Sequence, residues 1–374
     1  MRGFFVFLLA AFSLTVSAAV PKPPSVIGKA WVVGDLSSGQ LLASHKADER
    51  FEPASLTKLM TAYVVFIALR EKKISLEQRV EVSPRAWKAA GARMFIEPRK
   101  PVTVDELLRG MVVQSANDAC IALAEAVAGS EEAFARLMNR EAARLGMKNT
   151  RFMNATGLPD AQHYSSAQDL YLLSGALIRD FPNEYAQYYS QKEFRYNNVS
   201  QPNRNRLLWV DPSVDGVKTG HTEAAGYCLI ASSRRGGRRL LTVLLGSTSE
   251  ATRAQESLKL LNWGYQFYDG VKLYSAATAV KQIDVWKGAA RHVNVGVGSD
   301  LFVTVPKGEA DKLKAELVSQ QPLVAPLTKG QRVGVLRVTH DGKPFGEYPL
   351  IALEPVPQAG LFGRTWDTLR LWLK

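Results

Sequence analysis

Ser55 and Lys58 stand three residues apart in FEPASLTKLM, at the mouth of an apolar run. A serine hydroxyl becomes a useful nucleophile only when a base takes its proton. On a helix, positions i and i+3 share a face, so Ser-Leu-Thr-Lys aims the Lys58 amine at the Ser55 hydroxyl. An amine acts as a base once burial or nearby cations lower its pKa, and the following MTAYVVFIAL supplies that burial. A helix start also sets a backbone N–H beside Ser55, where a developing oxyanion is stabilised. The competing reading makes Ser55 a plain N-cap, the commonest use of serine ahead of an apolar helix. No other serine in the chain has a lysine three residues on. Two further polar groups follow: Ser115-Ala116-Asn117 in VVQSANDAC and Lys218-Thr219-Gly220 in DGVKTGHT. For Lys218 and Thr219 the plain alternative is an ordinary pair of strand residues.

The elements that must position these groups are readable from periodicity and turn residues. AWVVGDLSSGQLLAS (30–44) reads as two strands joined by an Asp/Ser/Ser/Gly turn. SLTKLMTAYVVFIALREKK (55–73) is apolar nearly all round, as a buried helix is. Two helical stretches fill 103–129, and others fill 131–146 and 166–181; Ser115 falls between helices. Strands return at 215–220, 225–233 and 239–248, with RRGGRR (234–239) as a hairpin tip, and a helix follows over 250–268. A strand pair, a helical block, three strands and a helix predict an antiparallel sheet flanked by helices. Residues 271–355 instead alternate short β-like runs with Gly, Asp and Lys turns such as HDGK (340–343), which predicts a separate, smaller β domain.

The 374 residues carry a formal net charge of +12, yet no long Lys/Arg block, so nucleic acid is not an expected partner. MRGFFVFLLAAFSLTVSAAV has a basic start, an apolar stretch and small residues at 16–19, the layout of a secretory signal peptide cut after Ala18 or Ala19. Cys120 and Cys228 are expected as two buried thiols rather than a bridge. The five histidines show no HxH or HExxH spacing, so a zinc hydrolase is not expected, and the reading of the site calls for no metal or cofactor. Behind the linker EPVPQAG, the last stretch is LFGRTWDTLRLWLK. On a helical wheel Leu361, Phe362, Trp366, Leu369, Trp372 and Leu373 fall in an arc of roughly 140°. Arg364, Asp367, Arg370 and Lys374 lie opposite, with Leu371 the misfit, as in a helix resting on an anionic membrane surface. The alternative is a helix packed on the β domain.

S-x-x-K with S-D-N and K-T-G is the signature of penicillin-binding proteins and class A β-lactamases, and here the three elements occur in that order with Ser115-Ala116-Asn117 in the middle place. The chain resembles the low-molecular-mass penicillin-binding proteins that are D-alanyl-D-alanine carboxypeptidases. The likeness extends through PASLTKLMT, QSANDAC, ATGLPDAQHYSSAQDL, NRNRLLW and VDGVKTGHTEAAGYCLIAS to the β domain and the terminal helix. It implies an α+β fold: a serine β-lactamase/transpeptidase-like catalytic domain, a small C-terminal all-β domain and a terminal amphipathic helix. The divisions expected are a signal peptide over 1–19, the catalytic domain over 20–268, the β domain over 269–355, and linker plus anchor over 356–374.

The same resemblance implies an acyl-enzyme on Ser55, release of the terminal D-Ala of a peptidoglycan pentapeptide, and acylation by β-lactams. Lys58 would be the general base, Ser115 a proton shuttle and Asn117 a holder of the substrate amide. Lys218 would add positive charge, Thr219 would bind the terminal carboxylate, and Gly220 would leave room for close backbone approach. The N–H groups of Ser55 and His221 would form the oxyanion hole. Arg253 and Arg204 would meet the substrate carboxylate, with a solvated surface arginine as the plain alternative for each. The family's middle motif is usually Ser-Gly-Asn, so the methyl of Ala116 is expected to narrow the site slightly. The location implied is the periplasmic face of the inner membrane. Rival functions on the same motifs are a β-lactamase, a DD-endopeptidase cleaving cross-links, and a wall-binding scaffold without turnover. Against the first, RFMNATGLPDAQHY (151–164) carries no glutamate.

Overall fold

The computed structural model describes residues 20–372; the proposed signal peptide over 1–19 and the last two residues lie outside the described residues. The chain opens with the hairpin β1 (Ala30–Asp35) and β2 (Gln40–His45). A 3-10 turn, Ala54–Thr57, runs into α1 (Lys58–Arg70). Ten of the thirteen residues of α1 are buried, which is why its sequence shows no polar stripe. It packs against α3 (Asn117–Ala128), α4 (Glu131–Arg144) and α5 (Ala167–Asp180). Before α3, helix α2 (Val104–Arg109) begins with a capping box between Thr103 and Glu106 and continues into a π turn over Gly110–Gln114.

After α6 (Pro182–Tyr188) comes a hairpin, β3 (Glu193–Tyr196) and β4 (Val199–Pro202). Three long strands follow: β5 (Val214–Thr222), β6 (Gly226–Arg235) and β7 (Arg238–Ser247). The main sheet is antiparallel in the order β2-β1-β7-β6-β5. Helix α5 covers one face and α7 (Glu250–Phe267) the other. Strands β6 and β7 are therefore buried on both sides, and their centres read as unbroken apolar runs rather than alternating ones. Cys120 and Cys228 are separate buried thiols in this core.

The remaining strands form a second body with its own core of Ile283, Val293, Val295, Val333, Leu350 and neighbours. They are β8 (Tyr268–Tyr274), β9 (Lys281–Asp284), β10 (His292–Gly296), β11 (Leu301–Pro306), β12 (Leu313–Ser319), β13 (Arg332–His340) and β14 (Lys343–Ala352). Five of them make an antiparallel sheet in the order β9-β10-β14-β13-β12, while β8 pairs with β11. The HDGK turn joins β13 to β14, with Asp341 and Gly342 both at positive φ. The two bodies meet where Thr304 of β11 donates to the fully buried Asp35 of β1 at 2.8 Å, and its backbone N–H donates to Gln40 at 2.6 Å. Helix α8 (Leu361–Trp372) closes the described chain.

Candidate active site

Ser55 is the second residue of the 3-10 turn, not the cap of α1. Its hydroxyl caps nothing; it accepts a hydrogen bond from Lys58 Nζ at 3.0 Å. The departure from a plain α-helix matters, because in a 3-10 turn side chains at i and i+3 eclipse one another. Ala54, just before the serine, holds a left-handed φ of 48°, a conformation that costs energy for any residue with a Cβ. The turn is held down by two glycines. A Cβ on Gly157, itself at φ +80°, would fall 1.8 Å from the Ala54 carbonyl oxygen. A Cβ on Gly220 would press on Pro53, Ala54 and Leu56 at 3.1–3.3 Å, so strand β5 lies directly against the serine turn because Gly220 has no side chain.

Lys58 is almost wholly buried, and its amine donates a second hydrogen bond, at 2.5 Å, to the carbonyl of Thr156. Burial lowers its pKa from 10.5 to about 8; among the lesser charge effects Cys120 and Asp118 oppose that shift and Arg204 adds to it. Lys218 is buried too, with its amine bonded to the Thr219 carbonyl at 3.2 Å. Burial and the facing charges of Lys58 and Arg204 hold it well below the usual lysine range. The charges of both amines act on Cys120, but burial pushes its thiol up to about 12, so it stays protonated. The loop that supplies Thr156 is fixed by His163, whose Nδ1 accepts from Met153 N and whose Nε2 meets the Thr57 hydroxyl at 2.8 Å. Burial drives the His163 pKa down to about 4, so this ring is a neutral structural group.

The opposite wall is built by Ser115, the left-handed residue (φ 64°) that breaks the helix between the π turn and α3. Ser115 Oγ is buried without a hydrogen-bond partner among the described residues, and so is Asn117 Oδ1. The amide nitrogen of Asn117 is engaged by the Ala90 carbonyl at 2.7 Å. The next residue, Asp118, is buried and takes hydrogen bonds from the backbone of Met94, Phe95, Ile96 and Ala119 at 2.9–3.2 Å. One carboxylate thus anchors an irregular loop across the Ser115 motif, and hairpin β3–β4 braces that loop from outside through Gln201 and Asn197. Ala116 packs in the core and does not border the cleft, so its methyl does not narrow the site as expected.

Ser55, Ser115, Arg204, Thr219, Gly220, His221 and Arg253 border one cleft of about 190 Å³, with Lys58, Asn117 and Lys218 buried behind it. Seven of the ten residues expected from the sequence thus border the cleft, and Lys58 reaches it through its bond to Ser55. Arg253 is not a solvated surface residue: it is 4% exposed, and its guanidinium lies 3.4 Å from the Gly220 carbonyl. Arg204 lines the cleft from the exposed side. Sequence reading missed Tyr227 and Glu250, which also border it. Tyr227 pairs with His221 across the β5–β6 hairpin, ring centroids 4.1 Å apart, so the turn residues TEAAG carried that signal. Glu250 stands one turn before Arg253 on α7, a spacing that places both on one face. The Thr156 carbonyl was invisible, because backbone atoms have no residue-type signature.

Comparison with known proteins agrees with this geometry. Residues 17–249 match the D-alanyl-D-alanine carboxypeptidase family of peptidases, and 268–358 match the C-terminal domain of penicillin-binding protein 5. The chain is 45% identical over 372 residues to D-alanyl-D-alanine carboxypeptidase DacC of Escherichia coli strain K12, covering 97% of this chain and 92% of that one. It is similar to the crystal structure of penicillin-binding protein 5 from Haemophilus influenzae, with TM-score 0.85 and 38% identity over 90% of this chain and all of that one. It is also similar to penicillin-binding protein D2 of Listeria monocytogenes in its ampicillin-bound form, with TM-score 0.60 and 30% identity over 66% of this chain and all of that one. With one family match spanning well over half of its length, and Ser55, Ser115 and Thr219 of the three signature elements bordering one cleft, the chain belongs to the D-alanyl-D-alanine carboxypeptidase family of serine peptidases.

Proposed function

We propose that this chain removes the terminal D-Ala from peptidoglycan pentapeptides through an acyl-enzyme on Ser55 and that β-lactams acylate the same oxygen. The observation that carries the reading is the 3.0 Å contact between Ser55 Oγ and a buried amine whose pKa is near 8. Neutral Lys58 takes the Ser55 proton as Oγ bonds to the carbonyl carbon between the two D-alanines. The N–H groups of Ser55 and His221 receive the oxyanion. The proton passes through Ser115 to the departing amine, the C–N bond breaks, and D-Ala leaves. Water then attacks the ester, Lys58 accepts its proton, and Ser55 is released with its hydroxyl restored.

The unpartnered Asn117 Oδ1 has room to take the substrate amide N–H. Lys218 raises the local positive potential. Thr219, Arg253 and Arg204 take the terminal carboxylate, with Gly220 letting strand and substrate backbone approach.

The location follows from the same kind of argument. The first 19 residues direct export, residues 20–268 do the chemistry, and 269–355 hold it off the membrane. The linker and helix over 356–374 anchor it to the periplasmic face of the inner membrane. Helix α8 turns a polar residue inward, where Asp367 accepts from the Lys287 backbone at 2.7 Å, while Leu361, Trp366 and Trp372 are exposed. That orientation supports an interfacial helix over one packed by its apolar face. The side chains at 362, 363 and 369–371 lie outside the described residues, and no described helix is long and apolar enough to cross a membrane.

One experiment tests the reaction. The protein is incubated with a labelled penicillin and, separately, with a pentapeptide ending in D-Ala-D-Ala. Stable label on Ser55 and release of D-Ala are expected. Rapid turnover of the drug would make it a β-lactamase, and neither event would make it a scaffold. Truncation after Gln358 is expected to free the protein from membranes; continued pelleting would refute the anchor.

A further inference from the structure

Glu250 borders the cleft but has no part in the mechanism above. It opens α7 behind the Ser249 cap, and its carboxylate lies between two guanidinium groups: Oε1 is 3.4 Å from Arg253 Nη2, and Oε2 is 3.8 Å from Arg206 Nη2. Its side chain is 48% exposed, so it stands at the cleft's rim. The ring of Tyr227 sits between His221 and Arg253, whose guanidinium carbon is 5.6 Å from the ring centroid.

The departing residue of the substrate is tied at two ends: its nitrogen at Ser55 and its carboxylate at Arg253 and Thr219. Its side chain leaves a carbon held between those anchors, and of the residues that border the cleft Tyr227 and Glu250 are the two with no other part in the reaction, so we place the side chain beside them. A methyl group there is indifferent to charge. An amine or carboxylate on the same side chain is not, because it lies within a Debye length of the Glu250 carboxylate.

We propose that Glu250 is a specificity-determining residue that biases the choice of C-terminal D-residue by side-chain charge, toward amine-bearing and away from carboxylate-bearing residues. This rests on the placement of the substrate carboxylate at Arg253 proposed above. Arg204, Arg206 and Arg253 also act on any charged side chain, but they act in every Glu250 variant. The effect of Glu250 is thus isolated in a ratio of rates for matched peptides. Loss of its hold on Arg253 weakens the grip on all peptides alike and cancels in the same ratio.

The test uses the full chain and three peptides differing only in the last residue: D-Ala, D-Lys or D-Glu. The measured quantity is the D-Lys to D-Glu ratio of kcat/KM in wild type, Glu250→Gln and Glu250→Lys. A unit charge placed beside the Glu250 carboxylate at a wet rim changes each rate severalfold in opposite directions, so Glu250→Gln is expected to lower the ratio about tenfold. Glu250→Lys is expected to lower it about a hundredfold, the square of that factor, since the charge changes by two units. Labelled penicillin on Ser55 confirms that each variant is folded and reactive. Ratios equal within about twofold across the three proteins, with wild type cleaving the D-Ala peptide, would overturn the role of Glu250 alone. Failure of wild type to cleave the D-Ala peptide or to be acylated would overturn the proposed reaction itself, and this inference with it.

Discussion

The proposed role of Lys58 as the base makes a prediction about pH that can be worked from the structure. The amine titrates near 8 rather than 10.5. The difference, 10.5 − 8, corresponds to about 3 kcal/mol favouring the neutral amine. At pH 7 about a tenth of the molecules then carry a neutral Lys58, against well under a thousandth for an unshifted lysine. Between pH 7 and pH 9 the neutral fraction rises roughly tenfold and then levels off. The second-order rate of Ser55 acylation by a labelled penicillin, followed from pH 6 to 10, should trace that rise with a midpoint near 8. Desolvation is the main cause of the shift and Arg204 adds to it, so Arg204→Ala should move the midpoint upward. Lys218 is depressed by the same burial and by Lys58, so the curve reports the pair of amines as one coupled system. The same amine also affects stability. The unfolded chain binds more protons than the folded one between pH 8 and 10.5, so folding free energy should grow as pH rises through that window. A flat acylation profile, or one with its midpoint near 10.5, would refute the view that Lys58 is the base.

Further expectations follow from single contacts. Arg253→Ala should lower kcat/KM on a D-Ala-D-Ala peptide by about 1–3 kcal/mol in barrier terms; an unchanged kcat/KM would remove Arg253 from the carboxylate site. Gly157→Ala must place a methyl 1.8 Å from the Ala54 oxygen at a left-handed φ. It should therefore cost at least about 1–3 kcal/mol in denaturant unfolding and slow penicillin labelling, because the serine turn is what moves. Asp118→Ala strands the backbone N–H groups of Met94, Phe95 and Ile96 inside the protein. A loss of about 1–3 kcal/mol is expected, with faster hydrogen exchange confined to 90–96; uniform exchange across the domain would argue against a local anchor.

Much of this site was legible in the sequence because its chemistry rests on residue types at short spacings. Ser55 and Lys58, Ser115 and Asn117, and Lys218 to Gly220 each fit in a few residues, and α1 and β6 announce their burial by apolar runs. The less legible parts depend on contacts distant in the chain or on backbone alone. Periodicity cannot separate a 3-10 turn from an α-helix at Ser55, since both put position 58 on the same side. The hairpin β3–β4 has only its turn, Asn197-Asn198 with both residues at positive φ, to mark it in the sequence. The 90–96 loop has no regular pattern at all, and its shape is set by the carboxylate of Asp118, some twenty residues away in the chain.

The reactivity of Lys58 is the sharpest case. A lysine in a sequence is an acid of pKa near 10.5. Lys58 is brought down to about 8 because α1 is buried among α3, α4 and α5 while the 151–164 loop closes over it through Thr156. The unfavourable burial of the amine is tolerated because the neutral form still has Ser55 and Thr156 as partners. The catalytic property thus belongs to the packing of the whole helical block, and mutations in that core should register in the pH profile before they register in the fold.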